Sequence, residues 1–441
     1  MEFLLSFLLL SLNLLDYEIG INKILFLIIS TVLVAGLFYI VYRKNRDFLC
    51  TCVVLLCHVW PISWINVFGD PTERLQLPWF YVIGAMIMLY AVFNIAKLKD
   101  NKVSAVVLGI FATLLIVSVY PLIISPSKSE GLKEFVTIGF FIILVFVAFL
   151  QTSSFDEKKR RAVISAYIFT VFISSLFIIL QSVLYMVAGE PIFKYSVGNY
   201  FGNVMISAKL LMEDTSCSTI MLGSAVFYML ERFNNKEKRI LHIIMILSTV
   251  IALAFTTRRT SIVSLAVILV LYVMFYYKGT MKKITMFAFI AAVVGVMAFY
   301  LLITRPVDDY SQYFNANGRI ENYLNSLKIV VSNPLGIGYD NVYLEKLMDG
   351  IVPHNTVLRW INMGGFIFAI LMVSVLVYVV YCAHSKGRKD DFWVLVYCLF
   401  AMNFIPDLLN ARFFVIPCMI TMLSVSVKIK ERTKEERMSE I

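Results

Sequence analysis

Long apolar runs recur along nearly the whole chain, and only short polar connections separate them. A run of about 18 residues or more is long enough to cross a bilayer as a helix. Because lipid offers the backbone no hydrogen-bond partner, such runs must be helical. The pattern therefore predicts an all-α, polytopic helical membrane bundle. We assign about fourteen spans, with twelve as the alternative, at 2–15, 23–42, 48–66, 78–96, 102–124, 132–151, 162–187, 213–231, 239–256, 260–277, 284–303, 355–382, 391–408 and 411–427.

The polar connections alternate in charge. Every second one is basic, at 43–46, 97–102, 158–161, 232–239, 278–283 and 386–389, and the tail from 428 is basic too. The others are acidic, neutral or proline-rich, at 16–22, 61–78, 125–130, 189–214, 305–354 and 406–410. Basic residues concentrate in cytoplasmic loops of membrane proteins. We therefore expect both termini in the cytoplasm and the second group of connections on the outer side.

The chain divides into four regions by this pattern. They are an N-terminal transmembrane bundle (1–304), a large extracytoplasmic loop (305–354), C-terminal transmembrane helices (355–427) and a basic cytoplasmic tail (428–441). Within the loop, apolar residues recur at helical spacing over 319–331, which predicts an amphipathic helix. Asn317 is its expected N-cap and Pro334 its end. We expect the apolar stripe to pack on the outer mouth of the bundle.

Composition narrows the possible functions. The chain is 60% hydrophobic and 15% charged, with a net charge of +10. The positive charge lies in short loops between spans and forms no basic groove, so we expect no nucleic-acid partner. The seven Cys have no spacing typical of metal sites or disulfides. No cofactor motif is present either, so we expect neither a cofactor nor a metal.

Three arginines in two segments of the outer side suggest anion binding. Arg258 and Arg259 lie in a tight outer turn, although basic residues of membrane proteins concentrate in cytoplasmic loops. The planar fork of arginine suits phosphate, although both side chains could instead reach lipid headgroups. Arg319 opens the loop helix, and a helix N-terminus with an arginine makes a good anion site. Its alternative is a solvated charge at a helix end.

A histidine at the end of the long loop is the candidate base. Pro353, His354 and Asn355 directly precede a predicted span, so His354 lies at a helix N-terminus, where the helix dipole disfavours the imidazolium form. A neutral imidazole can accept a proton as a general base. The alternative is a capping or interfacial histidine. Arg359 shares a helix face with Asn355, and we expect it to face a polar cavity because lipid would disfavour its charge.

Two further outer positions are weaker candidates. Lys209 and Glu213 precede a span and could contact a sugar, orient a base or cap the helix. Asp308 and Asp309 are adjacent in the long loop. Adjacent side chains diverge in most backbone conformations, so this pair is a weak metal signal.

The motifs on the outer side resemble one family. Five elements carry the likeness, namely Thr256-x-x-Arg259, Gly318-Arg319, the run Asn333-Pro334-Leu335-Gly336-Ile337-Gly338, His354-Asn355-x-x-Leu358 and Gly364-Gly365. Their order and spacing are similar to those of the O-antigen polymerase and O-antigen ligase family, over about 250–370. The family often has Ser-Arg-Gly where this chain has Arg258-Arg259-Thr260. Lys209-x-x-x-Glu213-Asp214-Thr215 resembles a Glu-Pro-Ser element of the polymerases, without its proline.

The resemblance implies a metal-independent, inverting glycosyltransferase of the bacterial inner membrane. Such an enzyme polymerises undecaprenyl-diphosphate-linked oligosaccharide repeat units of O-antigen, capsule or exopolysaccharide on the outer face. The implied catalytic residues are His354 as base, with Arg259 and Arg319 on the diphosphate. The implied substrate-binding residues are Arg258, Arg359, Asn355, Lys209 and Glu213. Membrane lipid and a chain-length regulator protein are the implied partners.

Two alternatives stay open. One is an O-antigen ligase, which transfers the lipid-linked glycan to a lipid A-core acceptor. The other, from a different class, is a lipid-linked oligosaccharide flippase. Transporters place polar sites near the midplane and often show paired repeats. Here the spans carry few central charges, and the unusual polar groups gather on one side.

Overall fold

The computed structural model describes most of the chain. The described residues are 1–19, 23–62, 66–68, 77–94, 105–151, 155–188, 196–200, 203–207, 215–235, 237–256, 259–281, 283–288, 290–291, 295, 319–348, 350, 352–386, 388–409 and 412–424.

Helices make up nearly all of the described structure. In chain order they are α1 (Glu2–Ile19), α2 (Lys23–Asn45), α3 (Phe48–Val59), α4 (Trp79–Phe93), α5 (Ala105–Ile124), α6 (Lys128–Leu150), α7 (Glu157–Ala188), α8 (Thr215–Asn234), α9 (Arg239–Phe255), α10 (Arg259–Tyr276), α11 (Arg319–Ser332), α12 (Asn341–Leu347), α13 (Thr356–Ser385), α14 (Lys389–Ala401) and α15 (Val415–Leu423). Most of these bounds lie near those of the apolar runs, but α3, α14 and α15 end before the predicted spans 48–66, 391–408 and 411–427 do. The predicted span 284–303 lies largely outside the described residues, and the number of spans stays a prediction.

Several helices have the length and composition to cross a membrane. Five do so among the described residues, at Lys23–Asn45, Val107–Ile124, Lys128–Leu150, Glu157–Tyr185 and Thr356–Ser385. Shorter apolar helices accompany them, including α3, α4 and α9. The prediction of an all-α membrane bundle is therefore confirmed. Two short hairpins, β1 (Asn66–Phe68) with β2 (Leu77–Pro78) and β3 (Ser196–Tyr200) with β4 (Asn203–Ser207), were not predicted.

Two helices form the centre of the bundle. Every residue of α15 is buried, and so is α3 from Leu49 to Val59. A helix that is apolar all round must be covered on all sides. The outer helices instead leave large apolar side chains exposed, such as Ile24 on α2 and Ile116 on α5. This arrangement suits lipid as the surrounding solvent.

Helix α13 is broken inside its apolar run. Gly365 has φ 78° and ψ 178°, a conformation that is nearly confined to glycine. The segment that follows α11 is hydrogen-bonded to the break. The amide of Ile337 donates to the carbonyl of Asn362 at 2.8 Å, and the amide of Phe366 donates to the carbonyl of Pro334 at 3.3 Å. The Asn333–Gly338 motif and the Gly364-Gly365 pair therefore form one joint.

The amphipathic helix of the long loop is present as α11, but only part of its apolar surface is buried. Tyr323 and Val330 face the bundle, and α11 packs against α13. The prediction that the whole apolar stripe packs on the bundle is wrong, because Ile320, Leu324 and Val331 are exposed. Helical spacing alone assigned both sets to one face, whereas the structure separates them.

Three of the basic connections meet at one end of the bundle. Lys159 pairs with Asp47 at 2.7 Å, and Arg388 pairs with Glu157 at 2.8 Å. These pairs join the connections before α3, α7 and α14. Three of the connections that the charge pattern assigned to one side of the membrane are therefore neighbours in the fold.

Candidate functional site

The start of α13 carries the predicted His354-Asn355 pair. Asn355 is the N-cap, and its Oδ1 accepts a hydrogen bond from the amide of Leu358 at 3.0 Å. A side chain of this kind satisfies one of the free amides of a first helical turn. His354 therefore immediately precedes a helix N-terminus, as the sequence predicts.

A tyrosine from α11 ties three elements together at this point. The hydroxyl of Tyr323 lies 3.0 Å from the backbone carbonyl of His354 and 3.0 Å from that of Asn403. Asn355 Nδ2 also donates to Asn403 Oδ1 at 3.3 Å. Asn403 lies in the short 3₁₀ turn Met402–Phe404 after α14. The backbone beside the histidine is thus held by α11 on one side and by this turn on the other.

The ring of His354 is half-buried, and its contact indicates a tautomer. Nδ1 lies 3.2 Å from the backbone carbonyl of Val352. A carbonyl oxygen only accepts hydrogen bonds, so this contact requires the proton on Nδ1. In the neutral ring, Nε2 is then the basic nitrogen, which is the form that a general base needs.

Arg359 lies one turn into α13 and is almost completely buried, with 2% of its surface exposed. Its Nη2 donates to Glu134 Oε1 on α6 at 2.9 Å, and its Nη1 donates to Asp407 Oδ2. Asn341, at the start of α12, accepts from Nε at 3.1 Å and from Nη2 at 2.8 Å. The sequence predicts that Arg359 faces a polar cavity; its guanidinium instead packs against the protein's own carboxylates and an amide.

Sequence reasoning missed the residues that surround Arg359 and His354. They are Glu134, Tyr323, Asn341, Asn403 and Asp407. Glu134 and Asp407 carried a usable signal, since each is an acidic residue beside an apolar run and charges near lipid are costly. Tyr323 lies among the residues that recur at helical spacing over 319–331, a pattern that predicts packing and not a hydrogen bond.

The two predicted diphosphate-binding arginines open helices at the same end of the molecule. Arg259 is the first residue of α10 and Arg319 the first of α11. Arg319 precedes Tyr323 by one helical turn. A series of contacts links the start of α10 to the start of α13. Ser261 on α10 is hydrogen-bonded to Thr219 on α8, and Cys217 Sγ on α8 lies 3.8 Å from the carbonyl of Asp407. The side chain of Asp407 in turn pairs with Arg359 on α13.

Several predicted residues cannot be placed in this arrangement. Arg258, Lys209, Glu213, Asp308 and Asp309 lie outside the described residues, and of Arg259 and Arg319 only the backbone is described. Among the described residues, no group of three or more His, Cys, Asp or Glu side chains is arranged to hold a metal ion.

Part of the site lies in the segment that matches a family model. The family model described as O-antigen ligase matches residues 243–373. This segment contains Arg258, Arg259, Arg319, His354 and Arg359. No curated protein is similar enough to match the chain. Residues 243–373 are therefore similar to the O-antigen ligase family.

Proposed function

We propose that this protein polymerises undecaprenyl-diphosphate-linked oligosaccharide repeat units on the outer face of the bacterial inner membrane. One observation carries the proposal. His354 lies at the start of α13, and Tyr323 of α11 is hydrogen-bonded to its backbone carbonyl. Arg259 and Arg319, the first residues of α10 and α11, lie at the same end of the bundle. A base and two cations at helix N-termini suit the transfer of a sugar from a diphosphate.

The proposed reaction is a single inverting displacement. Nε2 of His354 accepts the proton of the acceptor sugar's hydroxyl, and the hydroxyl oxygen attacks the anomeric carbon of the donor sugar. The bond from that carbon to the diphosphate breaks on the opposite face, and undecaprenyl diphosphate leaves with its electrons. Arg259 and Arg319 stabilise the negative charge that develops on it. We assign no metal to this reaction.

The other predicted residues take supporting roles in the proposal. Arg258 adds charge for the diphosphate, and Lys209 and Glu213 contact the sugars. Asn355 holds the start of α13 and borders the acceptor. We assign Arg359 a positioning role, because Glu134, Asp407 and Asn341 already engage its guanidinium. A chain-length regulator protein is the proposed partner in the membrane.

A ligase is the second candidate function. It is supported by the description of the matching family model, O-antigen ligase. A ligase would use the same base and the same diphosphate-binding arginines, with a lipid A-core sugar as the acceptor. The two enzymes differ in which molecule supplies the attacking hydroxyl.

The test is glycan chain length in cells that lack the protein. Cells are complemented with wild type, with His354→Ala, or with the control His384→Ala, which alters the last turn of the same helix. Envelope polysaccharide is resolved on a gel, and the lipid-linked pool is analysed in parallel. A polymerase is expected to give long chains with wild type and the control, and single repeat units on the final carrier with His354→Ala.

Other outcomes separate the alternatives. Long chains that accumulate on the lipid but not on the acceptor would identify a ligase. Long chains lost in cells without the protein but restored equally by wild type and His354→Ala would overturn the glycosyltransferase and favour a flippase. In isolated membranes, transfer should persist with a chelator present. A loss of transfer that Mg²⁺ or Mn²⁺ reverses would contradict the metal-independent mechanism. Asp308 and Asp309 would then become the candidate metal ligands.

A further inference from the structure

Helix α11 has three distinct faces. At about 100° per residue, its exposed apolar side chains fall in one narrow sector, its polar side chains in a second and its bundle-facing side chains in a third. The apolar sector is Ile320, Leu324, Leu327 and Val331, and we call it the outer stripe. These four side chains are 65%, 53%, 47% and 82% exposed. A stripe this apolar and this exposed is unusual on a surface that faces water.

The polar sector lies on the opposite side of the stripe from the bundle. It consists of Glu321, Asn325, Lys328 and Ser332, and Lys328 Nζ donates to Asn325 Oδ1 at 3.2 Å. On the third face, Tyr323 bonds the backbone carbonyl of His354, and Ser326 accepts from Asn362 Nδ2. The outer stripe therefore separates a solvated face from a face anchored to the bundle. A helix that lies in the plane of a membrane interface has this organisation.

The outer stripe is continuous with an apolar surface of α13. It runs through Val331 to Leu335, which is 58% exposed. Beyond Leu335 the chain meets the break in α13, where the amide of Phe366 bonds the carbonyl of Pro334. Phe366, Ile367 and Ile370 are exposed on the membrane-crossing part of α13. One apolar surface thus extends from a membrane-spanning helix onto α11.

We propose that the outer stripe is inserted in the lipid leaflet at this end of the bundle. The occupant is lipid hydrocarbon, because the stripe carries no charge and extends the surface that α13 presents to lipid. Helix α11 then lies in the interface, with Glu321 and Lys328 toward water. Its bundle-facing side holds the backbone of His354 through Tyr323. The leaflet therefore sets the level of the histidine relative to phosphate groups in the headgroup region.

Tryptophan quenching by brominated lipid tests this insertion with two neighbouring pairs of variants. Leu327→Trp and Val331→Trp place the probe on the stripe, and Lys328→Trp and Ser332→Trp place it about one-quarter turn away. Each variant is reconstituted in phosphatidylcholine vesicles with bromine on the acyl chains, and the emission of the wild type's five Trp is subtracted. The stripe variants are expected to lose most of the added emission. The polar neighbours are expected to retain most of theirs.

A nitroxide label gives an independent second reading. Cysteine replaces each of the same four residues, and the seven native cysteines are buried. Labels at 327 and 331 should be more accessible to oxygen than to a water-soluble nickel complex, with the reverse at 328 and 332. Equal quenching within each pair would overturn the proposal. So would a stripe that is shielded from both lipid and water, since the chain itself or a second copy would then cover it.

Discussion

At the scale of single residues, Arg359 is the most constrained side chain of the candidate site. Burial removes the water that would solvate its charge, and that loss is balanced only by well-placed partners. Glu134 and Asp407 supply two negative charges, and Asn341 supplies a further acceptor. Because Arg359 is one turn from Asn355, this cluster fixes the first turn of α13 against α6 and the loop after α14.

The first prediction removes the charge of Arg359. Arg359→Gln leaves two buried carboxylates without a cation, so we expect a loss of about 3–5 kcal/mol in unfolding free energy. Misplacing the start of α13 by about 1 Å would also lower glycan transfer by up to about 100-fold. Unfolding is followed in detergent, and transfer is measured in membranes.

Two further variants test the reason for this effect. Arg161→Gln is the control, because the side chain of Arg161 is 61% exposed and its ion pairs are worth about 1 kcal/mol or less. Arg359→Lys keeps the charge and should recover part of the stability. If Arg359→Gln were no more harmful than Arg161→Gln, the cluster would not hold the start of α13.

The sequence predicts the part of this cluster that lies on α13, but it does not predict the partners that other elements contribute. The start of α13 and the helix face shared by Asn355 and Arg359 depend on residues within five positions of each other, so local chemistry predicts them. The partners of Arg359 are distant. Glu134 lies 225 positions away and Asp407 lies 48 positions away. Only the packing of α6 and of the loop after α14 brings them together, and a single sequence does not contain that packing.

At the scale of secondary-structure elements, the joint between the Asn333–Gly338 motif and the break in α13 shapes the site. The amides of Ile337 and Gly338 donate hydrogen bonds to the carbonyls of Asn362 and Met363, which the break leaves without a partner in the helix. Backbone groups near lipid need such partners. The apolar run predicted α13 but not its break, because Gly364-Gly365 within an apolar stretch is also compatible with an unbroken helix.

The second prediction concerns Gly365. A Cβ added there would lie 2.6 Å from the backbone carbon of Leu335, and the positive φ would strain any other residue. Gly365→Ala should therefore cost about 2 kcal/mol or more. The loss should also appear as weaker protection of the Ile337 amide in hydrogen exchange.

A glycine elsewhere supplies the control for this change. Gly139 lies inside α6, and a Cβ there meets nothing within 4 Å. Gly139→Ala should be neutral or stabilise the protein by about 0.5–1 kcal/mol, as in an ordinary helix. If Gly365→Ala and Gly139→Ala had the same effect on stability, the joint would not depend on the close approach of the backbones at Gly365 and Leu335.

At the scale of the whole molecule, the bundle has two chemically different ends. One end gathers three of the basic connections, as the pairs Lys159–Asp47 and Arg388–Glu157 show. After the break at Gly365, helix α13 runs from Phe366 to Ser385 at this end, or about 30 Å along its axis at about 1.5 Å per residue. The candidate site and the basic connections are thus separated by about one membrane thickness.

The last prediction assigns these two ends to sides of the membrane. Basic loops remain cytoplasmic, so the end that holds His354 should face outward. Lys44→Cys labels the basic end and Glu321→Cys the other, since both residues are exposed and the native cysteines are buried. A membrane-impermeant maleimide should modify Glu321→Cys in cells with a permeabilised outer envelope. It should modify Lys44→Cys only after the inner membrane is opened. The reverse order would place His354 in the cytoplasm, where the proposed acceptor chains do not reach it, and would exclude polymerisation on the outer face.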